Sequence, residues 1–296
     1  EDPRYAWVPI GDWGNTRGVA SAAYRGHFDG QGHKMTNFNF TAGQNYFGVF
    51  GVVSNGVLIE NFEIYGEVTC GYKTMGVVGY TRDTETTIRN IHSYLNIYNT
   101  AVGDRHGGIV GSAVNGTTNI INCTYSGTLD GKDDAGSGNY GGIVGYINNN
   151  TAAIVNMTNC LFDGKVINTA DAPGGCTFGG FVGYSNSGIV TIKNSLSIGT
   201  VQSAVYGQFF GAVKQSRSAI INSYYIGDVV NGSASTVEIP AIETNSDELA
   251  SGEVAWKLNG EDFLNAVWRQ SLGEDEYPKP TCVGALVYQT PDGYAC

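Results

Sequence analysis

Apolar residues in this chain recur in short β-branched runs and in alternation, never at the three-and-four spacing of a helix, from about residue 24 to residue 236. One pattern repeats seven times: an apolar residue, any residue, then Asn, at Met35–Asn37, Ile59–Asn61, Ile88–Asn90, Ile120–Asn122, Met157–Asn159, Ile192–Asn194 and Ile220–Asn222. Five residues after most of these Asn stands Gly, with Val or Leu two further on, as in Gly66/Val68, Gly127/Leu129, Gly164/Val166, Gly199/Val201 and Gly227/Val229. Six of the copies are preceded by a Gly-apolar-apolar-Gly core or a near copy: Gly48–Gly51, Gly76–Gly79, Gly108–Gly111, Gly142–Gly145, Gly180–Gly183 and Gln208–Gly211.

The Asn-to-Asn spacings are 24, 29, 32, 37, 35 and 28 residues. A period in this range signals a stack of supersecondary units, each too small to bury its own apolar face. Each copy supplies about three strand-length segments separated by Asn and Gly corners, so the expected fold is all-β, a parallel β-helix of about seven coils. Asn tolerates a left-handed corner and bonds its own backbone. Stacked in register, the seven Asn are expected to form one column, with side chains bonded up and down it. The residue after each Asn forms a second column, Phe38, Phe62, Ile91, Cys123, Cys160, Ser195 and Ser223, read as packed interior in which Cys123 and Cys160 are buried rather than bridged. The tail Cys282 and Cys296 are the better disulfide candidates.

Open strand edges at both ends of a solenoid need covering. Residues 1–23, with Trp7 and Trp13, are expected to cap the first coil, and residues 239–296 to cap the last. Asn245-Ser-Asp-Glu248 reads as a helix start with a capping box, Val254, Trp256 and Leu258 as its apolar face, and Asn259-Gly260 as its stop. Trp268 and a short strand near Ala285–Tyr288 would complete the cap.

Composition narrows the function classes. The chain has 27 Asp and Glu against 16 Lys and Arg, a net charge of −11. That excludes the clustered cations needed for nucleic acid or anionic lipid. No apolar run is long enough to span a membrane as a helix. Few charges with 43 Gly suggest an extracellular all-β protein.

The segments Gly108–Gly111 with Ile120-Ile-Asn-Cys-Thr-Tyr-Ser-Gly127, and Gly142–Gly145 with Met157-Thr-Asn-Cys-Leu-Phe-Asp-Gly164, resemble the GLUG repeat of bacterial surface and secreted proteins. Tyr24-Arg-Gly-His-Phe-Asp-Gly-Gln-Gly-His33 is similar to the stretch that opens such solenoids. The segments Ser251–Asn259, Trp268–Gly273 and Tyr277-Pro278 resemble one that often follows them. The resemblance covers residues 24 to about 280. It implies a cell-surface or secreted location and an adhesin-like or accessory role, and it brings no catalytic motif. Two copies depart from the pattern, with Leu95 and Gln208 in places of Gly.

Four clusters are candidates for chemistry. Tyr80, Tyr146 and Tyr184 share one repeat position and could present a sugar-stacking face or, alternatively, stabilise the sheet. Arg82, Asp83, Glu85, Asp104, Arg105 and His106 form the one neighbourhood that could serve acid–base cleavage of a polysaccharide, with Asp83, Glu85, Asp104 and His106 as its catalytic groups. Asp130, Asp133 and Asp134 could gather Ca²⁺, although the loop lacks the closing Glu of an EF-hand. His27, Asp29 and His33 read as turn residues before metal ligands, since Asp-Gly is a strong turn signal. The expected function is therefore a non-catalytic module binding a polysaccharide, glycan or surface protein through the Tyr column and the loops 101–107, 130–140 and 168–177. The alternative is a carbohydrate-active enzyme, lyase or hydrolase, on the same scaffold.

Overall fold

The computed structural model describes residues 7–12, 22–42, 45–71, 74–100, 105–132, 136–148, 153–169, 175–202, 206–213, 218–227, 240–261, 263–264 and 266–296. It is a parallel β-solenoid. Among the described residues, two sheets carry six strands each. One runs from Tyr46–Phe47 to Tyr206–Gly207 and the other from Phe50–Ser54 to Phe210–Val213. A third, 16-stranded sheet wraps the remaining side. Six stacked strands make five full turns, so the expected seven coils become about five turns with partial coils at the ends.

Each turn follows the same course. A short strand such as Asn139–Gly141 leads through a tight bend into the Gly-apolar-apolar-Gly core. The register Phe50, Val78, Val110, Val144, Val182 and Phe210 places the cores directly above one another. The chain then turns into the wide sheet, where three short segments meet at the Asn and Gly corners. In two coils these segments merge into unbroken strands, Val57–Cys70 and Thr86–Asn99. Leu95, in place of a corner Gly, is fully buried in the core there.

The first Gly of each core is required by what faces it. A Cβ at Gly108 would lie 2.1 Å from the Tyr125 ring, and one at Gly142 would lie 2.4 Å from Phe162. The sixth core carries Gln208, which borders the space beside Ser197. The space is filled by the Gln208 side chain, which accepts from Ser197 Oγ at 2.9 Å.

Six Asn form the expected column. Asn61, Asn90, Asn122, Asn159, Asn194 and Asn222 all adopt left-handed φ between 43° and 62°. Asn90 Nδ2 donates to Asn61 Oδ1 at 2.8 Å, Asn122 to Asn90 at 3.1 Å, Asn159 to Asn122 at 3.1 Å and Asn222 to Asn194 at 2.9 Å. Asn37 does not belong to it. The strand His27–Met35 shifts register between Asp29 and His33, so the bulge at Gln31-Gly32 lies beneath the Asn61 corner. Asp29 Oδ1 accepts from Asn61 Nδ2 at 2.9 Å and ends the ladder. Asn37, also left-handed, precedes Phe38, whose backbone packs where a Cβ on Gly66 would fall. The second column accordingly begins at His33 rather than Phe38. Its Cys123 and Cys160 are buried free thiols, and burial pushes the Cys160 thiol up to about 12.

At the N-terminal end Trp7 packs edge-on against Phe38, with ring centroids 5.5 Å apart, and its Nε1 donates to Gly48 O at 2.9 Å. Trp13 lies outside the described residues. The C-terminal segment first adds a strand, Ile242–Glu243, beside Tyr224–Tyr225. Helix α1, Ser246–Ala250, is capped as expected by Asn245, which accepts from Glu248 N at 3.0 Å. Helix α2, Glu253–Leu258, buries Val254, Ala255 and Leu258, while Trp256 turns away to pack on Phe263. The tail does not stay at the end of the stack. Trp268, fully buried, sits on the flank against the outward column Leu161, Leu196 and Tyr224, and its Nε1 donates to Asn194 O at 3.1 Å. Cys282 and Cys296 are exposed free thiols rather than the expected pair; backbone N–H of Leu272 donates to Cys296 Sγ at 3.5 Å.

Candidate ligand-binding groove

The outer face of the wide sheet just beyond the Asn corner changes character along the stack. Register aligns Glu63, His92, Thr124, Leu161, Leu196 and Tyr224 in one outward column. Two residues further along each rung stand Tyr65, Tyr94, Ser126, Asp163 and Ile198. The upper half is apolar and is covered by α1, α2 and Trp268. The lower half is polar, and the tail passes across it without filling the space. A groove of about 750 Å³ remains, walled by Glu63, His92, Tyr94 and Asp163 on the solenoid and by Arg269, Tyr277 and Lys279 on the tail. A smaller hollow of about 410 Å³ continues it past the Asn column to Thr281 and Cys282.

The groove walls are held in place by their own contacts. Tyr65 and Tyr94 stack with centroids 4.4 Å apart and planes 4° from parallel. Above Tyr94 the column has Ser126, and among the described residues Tyr65 is the one ring that stacks on Tyr94. Tyr94 is 36% exposed. Ser126 Oγ donates to Asp163 Oδ1, and Tyr277 Oη donates to Asp163 Oδ2 at 2.9 Å, which ties the tail to the solenoid across the groove. Burial raises the Tyr277 phenol, and the Asp163 carboxylate beside it adds to the effect.

Burial acts upward on the Glu63 carboxyl. It is outweighed by the Tyr65 hydroxyl, which donates to Glu63 Oε2, and by Lys34 Nζ at 3.0 Å, so the group stays below its usual range and ionised. Burial lowers the His92 imidazole, against the pull of Glu63 and Asp163, and keeps it neutral.

The residues singled out in the sequence lie elsewhere. Tyr80 and Tyr146 are outside the main core but covered, at 7% and 6% exposure, and Ser112 stands between them in the register. Tyr80 packs with Ala23, Val114 and Tyr46, while Arg105 lies 3.9 Å over the Tyr146 ring. Tyr184 stacks on Tyr146 at 5.8 Å and is half-buried. The three Tyr therefore do not make a continuous exposed ladder.

The acid–base neighbourhood is also divided. Asp83 sits at a left-handed turn, accepting from Arg82 Nε at 2.7 Å and Ser54 Oγ at 3.0 Å. Glu85 accepts from Asn119 Nδ2 at 2.9 Å. His106 belongs to another sheet and is fully buried, packed on Tyr140 and within 3.2 Å of Asn99 Oδ1. Asp104 lies outside the described residues.

Asp130 is turned inward, accepting from Thr169 N at 3.2 Å and Thr169 Oγ1 at 2.9 Å. Asp133 and Asp134 lie outside the described residues. Asp29 accepts from Gln31 N at 2.8 Å, the turn bond expected of Asp-Gly. His27 instead meets Glu60, its Nε2 lying 2.6 Å from Glu60 Oε1, and Arg89 Nε donates to the other carboxylate oxygen at 2.6 Å.

The groove residues escaped the sequence reading because the tail's path across the flank has no local signal. One trace was present. Ser195-Leu196-Ser197-Ile198 alternates with the small polar residues on what proves to be the inside. A strand whose outward positions are apolar must be covered by something.

No protein-family pattern matches the sequence, and no curated protein aligns with it. Among solved structures, the chain is similar to one described as a "putative immunoglobulin A1 protease" from Bacteroides ovatus. The TM-score is 0.59 at 21% identity, over 85% of this chain and 76% of the other. At that identity the likeness concerns the fold.

Proposed function

We propose that this chain is a non-catalytic binding module of a bacterial surface or secreted protein, of the GLUG-repeat kind, that holds a glycan or a host or matrix ligand in the groove between its flank and its tail. The observation that carries this reading is the groove itself. A polar, partly aromatic cleft of about 750 Å³ lies within the roughly 300–1,000 Å³ typical of ligand sites. One wall is set on the regular stack, and the other on the tail that Tyr277 ties to it through Asp163. The separation of the buried His106 from Asp83 and Glu85, each of the three engaged in structural contacts, favours binding over turnover at that place. Neither a metal nor a cofactor has a role in this reading.

The test is an array of glycans, matrix proteins and immunoglobulin A1, read for binding and, in parallel, for new reducing ends and for cleaved polypeptide. Binding without product supports the module. Product formation sinks the non-catalytic reading, and an array without any bound member sinks the reading as a whole.

A further inference from the structure

The structure assigns the groove a ligand class: we infer that it takes a short neutral oligosaccharide, one sugar ring lying on the free face of Tyr94 with its hydroxyls reaching Glu63, His92 and Asp163 on one wall and Arg269 or Lys279 on the other. This deepens the binding reading above and rests on it.

Three observations carry it. The first is the interrupted stack. Tyr65 fixes Tyr94 from below at 4.4 Å, and the short Ser126 above leaves the second ring face toward the cleft. A rigid aromatic face with a polar rim suits the apolar C–H face of a pyranose, and its ordering costs little because the neighbouring ring already holds it. The second is the character of the rim. Around that ring the lining offers carboxylates (Glu63, Asp163, Asp275), hydroxyls (Thr124, Ser126, Ser271) and cations (Arg269, Lys279). Such a mixture of acceptors and donors matches sugar hydroxyls, which both give and receive hydrogen bonds. The third is charge. Three carboxylates against two cations leave no positive surplus, with His92 neutral and the whole chain at −11. Uronate-rich or sulfated chains would meet net repulsion here. Size sets the length, since a cleft of this volume closed on one side by the tail admits a short segment.

The experiment titrates the full chain by ligand-observed NMR and calorimetry with neutral trisaccharides, namely maltotriose, cellotriose, xylotriose, mannotriose and N-acetylchitotriose, and with a trigalacturonate. At least one neutral trisaccharide is expected to bind, and the trigalacturonate to bind more weakly. Tyr94→Ala should weaken that binding by roughly tenfold with an unchanged circular dichroism spectrum. Tyr146→Ala, on another face, should bind as the unaltered chain does. Should Tyr94→Ala fail to fold, Ser126→Tyr decides the matter, because its ring would fill the free face of Tyr94 and is expected to block binding. Equal binding by folded Tyr94→Ala, undiminished binding by Ser126→Tyr, preference for the trigalacturonate, or no trisaccharide bound at all each overturns the inference. A matrix protein that still binds on the array in those cases leaves the broader binding reading standing.

Discussion

Asn122 donates to Asn90, receives from Asn159 and holds a backbone φ of 53° that few side chains accept. Asn122→Ala removes both bonds and keeps the strained conformation, so a loss of about 2–3 kcal/mol is expected. Asn122→Gly removes the bonds but relieves the strain and should cost less. Urea denaturation of the two variants gives the order, and an Ala variant as stable as the Gly variant would mean that the corner owes nothing to the left-handed conformation. The thiols offer a second check at this scale. In native protein that has been reduced and then freed of reductant, Cys282 and Cys296 should react with Ellman's reagent, while Cys70, Cys123, Cys160 and Cys176 react only after denaturation. His92 gives a pH dependence. Its folded value is depressed below the ordinary 6.5, so its contribution to stability is complete above that pH and is lost as the pH falls toward the folded value. Melting temperatures across about pH 7.5 to 5 should fall less steeply for His92→Gln.

At the scale of elements, the tail behaves as part of the wall rather than as a lid. Trp268 fills the contact between α2 and the column Leu161, Leu196 and Tyr224. Trp268→Ala should cost about 3–5 kcal/mol, measured by thermal or chemical unfolding. Deleting residues 239–296 bares both that column and the edge beyond Tyr224–Tyr225, and should yield aggregated protein. A soluble monomer after deletion would show that the flank does not need its cover. The stack itself was legible in the sequence because its signals are local: each Asn and Gly acts within one turn, and each apolar run spans one strand. Asn37 misled because it obeys the same three-residue pattern while serving a different corner, a distinction made by the register shift at Gln31-Gly32. The Tyr position was legible as a column, but its exposure was not, since Val114, Ala23 and Arg105 cover it from distant parts of the chain. The groove was the least legible feature, because half of its wall comes from a segment more than a hundred residues away along the chain, as in the Tyr277–Asp163 bond.

In the whole molecule, the folded-back tail changes how a repeat stack behaves. An array of coils that touch only their neighbours can fray from either end. Here the tail runs from the last coil down to the coils of Asn159 and Asn194, joining levels that the solenoid alone leaves independent. The same connection determines the path of mechanical load. Tension applied at the C-terminus meets Tyr277–Asp163 and the Trp268 seat before it reaches the uppermost coil, so the flank works as a lap joint loaded in shear, with the groove along its seam.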